Sequence, residues 1–386
     1  MSKLKTILVV TGGYFPGIKY GGTVTSKQNF AEVFGDVFDI KVVTTNHDYN
    51  IKTPYTGITQ GWNIYEKSKV LYLADNEFNY TTYSKIVKEE QPILIYASGT
   101  ITSFFNYNKD FIQVAKKNNI PILITPDGDI CDNAIKIKKW KKVLAIFLVK
   151  VFHAYNNVWF QATLLNEKEN LIKYLKIDEK KIFLLPNLPC MLKNRGKHKK
   201  EKDSLRLVYS SRIQTIKNLK CAIQAVNLVD LKITFDIYGP CENEQYWDEC
   251  KQLIAKSPTN VSIRYCGDLS PKQARYIAKD YDCFILPTMS ENYGYSIEEA
   301  IAIGCPVLLS KGTTPWDDID AVAGFTAPYD RPELFARKIK ILAEMNQEDY
   351  DILCENVRLY SIKKFKLNEL KKRYLEMFRS CTGLDI

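Results

Sequence analysis

Two glutamates, Glu291 and Glu299, stand with seven residues between them in SENYGYSIEEAIAIGCPVLLS, residues 290–310. A carboxylate accepts from two hydroxyls at once, the task set by the vicinal diol of a ribose or a hexose. Between them Asn292-Tyr293-Gly294-Tyr295-Ser296 reads as a loop whose glycine admits something close to the backbone. Far upstream, Ser210-Ser211-Arg212 closes an apolar run, and Lys217 follows five residues later. Two cations at a strand-to-helix junction suit a diphosphate. A glycine-rich stretch, TGGYFPGIKYGG at residues 11–22, carries Gly21 and Gly22 just ahead of a helical pattern, where backbone can approach a phosphate. Asp127-Gly128-Asp129 follows another apolar run, and Asp127 can cap the next helix.

The elements that must hold these residues alternate. YDCFILPT at 281–288 is a buried-type strand, Ser296 is suited to cap a helix over 297–303, Gly304 stops it, and 306–309 is the next strand. Further strands are expected at 6–10, 39–44, 91–96, 121–126, 158–162, 182–185, 205–209, 233–238 and 261–266, with a β-rich excursion over 61–73. Helices are expected near 25–34, 165–175, 220–229, 271–280 and 332–345, and through the tail 346–378. The polar end Ala97-Ser98-Gly99-Thr100 reads equally as an acceptor contact or as an ordinary βα turn. Residues 190–204 are charged, nearly free of apolar side chains, and read as a flexible boundary. The alternation predicts an α/β chain of two doubly wound domains facing a cleft, residues 1–190 and 205–364.

Hydrophobic content of 46% and charged content of 25% fit a soluble globular chain long enough for two cores. Ten cysteines without a CxxC pair predict buried thiols in a reducing cytosol, and three histidines without HxH or HExxH predict no metal site. MSKLKTILVV is too short an apolar run for a secretory leader. The net charge of +10 is unevenly placed. Residues 1–200 hold 29 Lys and Arg against 17 Asp and Glu, whereas the remainder is slightly acidic. A basic half without a helix-turn-helix, zinc or RNP pattern points away from nucleic acid and towards an anionic membrane surface. The segment 136–155 carries six lysines beside an apolar run. It reads either as a membrane-surface helix or, because apolar residues from 143 to 152 fall all round the wheel, as a basic lip on a buried helix.

The 290–310 stretch resembles the E-x7-E signature of family 4 glycosyltransferases, retaining enzymes of the GT-B fold. The resemblance implies that Glu299 holds the nucleotide ribose, Glu291 contacts the donor sugar, and the amides of Gly294-Tyr295-Ser296 hold donor sugar and phosphate. It puts Arg212 and Lys217 on the donor pyrophosphate and the Gly21-Gly22 loop near the donor phosphates. The family's usual Phe before the glycine is Tyr293 here. Where many members carry a His or Arg that touches the donor sugar, this chain has Asp127, which by the resemblance would accept from a sugar hydroxyl in a catalytic position, and the donor sugar stays open. The last helix, about 365–380, commonly crosses back to the first domain in such proteins.

The implied activity is metal-independent transfer of a hexose or N-acetylhexosamine from a UDP- or GDP-type sugar to a glycan or lipid-linked acceptor, in surface polysaccharide, O-antigen or capsule synthesis. No cofactor beyond the donor is expected. The implied location is cytoplasmic, with peripheral contact at the inner face of the plasma membrane. Two alternatives stand beside it: a GT-B nucleotide-sugar epimerase, and an inactive sugar-nucleotide-binding partner of another transferase.

Overall fold

The computed structural model describes residues 4–17, 19–130, 139–151, 153–291, 293–320 and 322–385, with the side chains of residues 139–142 also outside the description. The chain forms two compact units, Met1–Pro189 with Leu367–Ile386, and Cys190–Lys366.

The first unit is built on eight strands, β1 (Thr6–Val10), β2 (Asp39–Thr45), β3 (Trp62–Tyr65), β4 (Ser68–Leu73), β5 (Leu94–Ser98), β6 (Ile122–Thr125), β7 (Trp159–Ala162) and β8 (Ile182–Leu184). They lie in the order β3-β4-β2-β1-β5-β6-β7-β8. All neighbours are parallel except β3 and β4, which pair antiparallel as the excursion over 61–73. The strands are apolar without alternation because both faces are covered. In β1, Leu8 and Val10 enter one core with Phe111, Ile124 and Phe160, while Ile7 and Val9 enter another with Phe30, Phe34 and Phe378.

The second unit holds six parallel strands, β9 (Ser204–Ser210), β10 (Lys232–Tyr238), β11 (Val261–Tyr265), β12 (Cys283–Leu286), β13 (Val307–Ser310) and β14 (Gly324–Ala327). Their order is β11-β10-β9-β12-β13-β14. Strand order reverses between β9 and β12, and ligands of open α/β sheets bind at the carboxyl ends beside such a reversal. Arg212 and Lys217 follow β9, and Glu291 follows β12.

Three expectations are corrected. The helix of the E-x7-E stretch begins at Tyr295, capped by Gly294, so Ser296 lies inside its first turn and caps nothing. The reason is the left-handed backbone of Gly294 (φ 82°), which turns its carbonyl to accept from Ile297 N (2.9 Å) and Glu298 N (3.0 Å). The tail is helical as expected, in two helices, Gln347–Phe365 and Leu367–Thr382, that meet at left-handed Lys366. Residues 190–204 have no regular structure but are pinned rather than loose. Arg195 N donates to Ile303 O (2.8 Å), and Lys200 Nζ to Ala343 O (2.8 Å) and Met345 O (3.0 Å). Last, the helix Lys139–Val151 is not buried all round. Ile146 and Val149 are buried, whereas Val143, Leu144, Phe147 and Val151 face solvent.

Candidate functional site

At the reversal, two loops are tied together before any charged group is considered. Ile216 O, in the turn Thr215–Lys217, accepts from Met289 N (2.8 Å) and Thr288 Oγ1 (3.0 Å). That link brings the Lys217 ammonium onto the Glu291 carboxylate, an ion pair whose side chains are largely buried. Glu291 N in turn donates to Thr313 O (2.9 Å), so the loop after β13 braces the glutamate from behind. Trp316 Nε1 donates to Tyr293 O (2.5 Å) and holds the residue before the glycine. A Cβ on Gly294 would sit 3.0 Å from Glu291 Cγ and 2.8 Å from Ile297 Cδ1, so the site needs glycine for space as well as conformation. Asn292 lies outside the described residues.

The helix opened by Gly294 points its first amides, those of Tyr295 and Ser296, towards the strand ends, where a helix N-terminus favours an anion. Glu299, on its buried side, lies 3.8 Å from the Arg275 guanidinium, which is itself buried. Arg212 does not meet Glu291. Its guanidinium donates to both oxygens of Glu242 at 3.2 Å, in a half-exposed pair. The structure therefore joins Lys217 to Glu291, Arg212 to Glu242 and Arg275 to Glu299.

In the first unit, Asp127 follows β6 in a turn with left-handed backbone (φ 51°). Its carboxylate lies 3.6 Å from Lys27 Nζ, a fully buried ammonium that donates to Thr125 Oγ1 (2.7 Å) and stands 4.3 Å above the Tyr96 ring. Burial pulls the Lys27 pKa down, and the carboxylate opposes that pull. Asp127 Oδ2 is buried with no hydrogen-bond partner among the described residues. The hydroxyls of Ser98 and Thr100, at the end of β5, are in the same state. Gly21 caps the helix Gly22–Phe34 from a left-handed conformation (φ 63°), and a Cβ there would meet nothing within 4 Å. The other glycine pair is filled from within the chain: a Cβ on Gly12 would strike Tyr107 and one on Gly13 would strike Tyr20.

Sequence reasoning missed several partners. Lys27 is an ordinary helix lysine in sequence, and only its packing on β5 and β6, against Tyr96 and Thr125, makes it a buried cation. Glu242 and Arg275 are single charges in polar surroundings. Glu298 was overshadowed by its neighbour. It is fully buried, accepts from Cys190 N (2.5 Å), and burial raises its pKa to about 7 against the lowering from that hydrogen bond and from Arg275. The one available signal was an acid at a position flanked by Ile297, Ala300 and Ile301, all core residues.

Residues 191–360 match the family model described as "Glycosyl transferases group 1". The chain is 32% identical over 139 residues to the GtfA subunit of a UDP-N-acetylglucosamine–peptide N-acetylglucosaminyltransferase from Streptococcus agalactiae, a match covering 35% of this chain and 26% of that protein. The chain thus spans about a quarter of that curated relative's length. Among solved structures, it superposes on a glycosyltransferase from Rickettsia africae ESF-5 with TM-score 0.68 at 16% identity, covering all of both chains. It superposes on Anabaena HepE, solved with UDP and glucose, with TM-score 0.65 at 14% identity, covering 97% of this chain and all of the other. The fold is GT-B, with two α/β units on mostly parallel sheets, and residues 191–360, the part similar to the group 1 model, fall in the second unit.

Proposed function

We propose that this chain is a retaining glycosyltransferase. It moves a hexose or N-acetylhexosamine from a UDP- or GDP-type sugar to a glycan or glycolipid hydroxyl, in the assembly of a surface polysaccharide. The observation that carries the reading is the Lys217–Glu291 pair at the strand-order reversal, in the same unit as the buried Glu299. Lys217 and Arg212 offset the charge that grows on the departing diphosphate, aided by the Tyr295–Ile303 helix N-terminus rather than by a metal. Arg212 exchanges Glu242 for phosphate oxygens. Glu299 takes the ribose hydroxyls, Glu291 a donor-sugar hydroxyl, and the Gly21 turn leaves backbone room for phosphate. The anomeric carbon–oxygen bond to the diphosphate breaks, the acceptor oxygen bonds the same face, and its proton passes to the leaving phosphate. Asp127, beside Lys27, accepts from a sugar hydroxyl. The name of the streptococcal relative supports an N-acetylhexosaminyl donor, and the basic first half supports an acceptor presented at a membrane.

The test begins with a thermal-shift panel of UDP, GDP, ADP and their sugars, which identifies the base. The panel is repeated on Glu299→Ala, and the product of turnover is read by NMR for its anomeric configuration. Unchanged sugar-nucleotide affinity in Glu299→Ala, or an inverted product, would overturn the reading.

A further inference from the structure

The helix Lys139–Val151 carries an apolar face that is exposed among the described residues. Val143, Leu144, Phe147 and Val151 are 52%, 51%, 59% and 53% exposed. At 100° per residue these four positions fall within an arc of roughly 100°, while Ile146 and Val149 lie on the opposite side and are buried. Scattered exposed apolar residues are ordinary on a protein surface, but four on one helix face form a patch, and patches mark contact surfaces.

The surrounding charge selects the occupant. Residues 136–150 hold six lysines, and no Asp or Glu occurs from 133 to 166. Lys150 stands in the last turn, and the helix itself opens with Lys139-Trp140-Lys141-Lys142. Lys138 and the side chains of Lys139, Lys141 and Lys142 lie outside the described residues, so their part in the argument is their charge and place in the sequence. A protein partner or a second copy would meet an apolar strip inside a run of cations without acids. An anionic bilayer answers both features, taking the apolar strip into the headgroup–acyl boundary and the ammonium groups onto lipid phosphates. No described helix is long and apolar enough to cross a membrane, so this contact lies along the surface. We propose that the Val143, Leu144, Phe147 and Val151 face docks the protein on an anionic lipid bilayer, with the 136–150 lysines supplying the electrostatic part.

The reading of the reaction is not needed for this proposal, and vesicle binding is measured without substrate. The full chain is sedimented with vesicles of phosphatidylcholine alone and with vesicles also containing phosphatidylglycerol, at low and high salt. The expected result is at least about tenfold stronger partition onto the anionic vesicles, falling as salt screens the lysines. The double variant Leu144→Asp, Phe147→Asp lowers that partition at least about tenfold, while its melting temperature stays within a degree or two because both side chains are exposed. Wild-type partition that ignores lipid charge and salt overturns the proposal, as does a double variant that binds like wild type. A dimer in analytical ultracentrifugation that the same variant dissociates, with no vesicle binding by either protein, assigns the face to a second copy and overturns it too.

Discussion

Lys217 and Arg212 are both cations held by carboxylates, but their settings differ. The Lys217–Glu291 pair is largely buried and braced by three loops, whereas Arg212 and Glu242 stand half in water. Removing Lys217 leaves the Glu291 charge without its partner as well as the diphosphate without a cation. Lys217→Met is therefore expected to lower kcat/KM by about 100-fold or more, read by steady-state kinetics with the donor the thermal-shift panel identifies. Glu242 competes with phosphate for Arg212. Glu242→Gln is expected to tighten nucleoside diphosphate binding by about two- to fivefold in calorimetry, the small effect of relieving an exposed pair. The raised pKa of Glu298 gives a prediction of a different kind. Between about 4.5 and 7 the folded protein keeps the Glu298 proton that the unfolded chain releases, so stability falls as pH rises through that window. Glu298→Gln keeps an oxygen to accept from Cys190 N and removes the titration. Its melting temperature relative to wild type is expected to rise from pH 5 to pH 8, by the equivalent of roughly 3 kcal/mol at most. A difference that stays flat with pH rules out the buried acid. At this scale the sequence shows types and spacings, which is why Glu291, Gly294 and Glu299 stood out. It does not show which charge lies opposite which. Glu242 comes from the loop after β10 and Arg275 from the helix Pro271–Tyr276, and only the folded sheet order brings them to Arg212 and Glu299.

The helix Tyr295–Ile303 shows how element and site depend on each other. It is bounded at both ends by left-handed glycines, Gly294 (φ 82°) and Gly304 (φ 88°), and alanine at either is strained whatever the space. The two substitutions are expected to differ in what else they disturb. At Gly304 the new Cβ would strike Asn194 Nδ2, at the segment 190–204 that the helix end helps to pin. Gly304→Ala is expected to lower stability by about 1–3 kcal/mol in denaturant unfolding and to leave sugar-nucleotide affinity near wild type. At Gly294 the Cβ presses on Glu291 Cγ, so Gly294→Ala is expected to cost similar stability and to weaken the donor at least about tenfold. Equal binding losses in the two variants would separate Gly294 from any role in setting Glu291. The strands were legible because buried parallel strands are short apolar runs, and most observed ends lie within two residues of those expected, with β5 shifted furthest. The start of this helix was not legible. A serine is a good cap in general, but here the glycine's left-handed turn closes the first two hydrogen bonds before the serine is reached. The helix Lys139–Val151 misled for a related reason. Apolar residues all round a wheel imply burial only if the fold supplies neighbours on every side, and the described residues supply them on one.

Each unit has cores of its own. The second unit's cluster draws only on residues from Leu205 to Tyr360, with Phe365 against its edge, so Cys190–Lys366 is a continuous stretch with a closed core. The first unit is discontinuous. Its last helix, Leu367–Thr382, sets Phe378 against Phe30, Phe34 and Phe38 at ring separations of 6.0, 5.6 and 6.0 Å. Tyr374 OH donates to Pro186 O (3.0 Å) and accepts from Gln161 Nε2 (2.6 Å). Composition alone shows a charged stretch near residue 200 but not that the chain's end belongs with its beginning, because such pairing is a matter of shape between aromatic rings far apart in sequence. Phe378→Ala is expected to destabilise the first unit by about 3–5 kcal/mol, the cost of a cavity where an aromatic core residue stood. Ending the chain at Lys366 should remove the whole covering and expose Phe30 and Phe34 together, leaving the first unit without a cooperative melt. The same truncation takes nothing from the second unit's core. A fragment of residues 190–366 is therefore expected to melt cooperatively and, because Arg212, Lys217 and Glu299 all lie within it, to bind the nucleoside diphosphate. Circular dichroism and calorimetry on the two truncated chains separate the outcomes. A fragment 190–366 that is unfolded, or a chain ending at 366 whose first unit melts as in the full protein, would show that the cores are not divided as the contacts divide them.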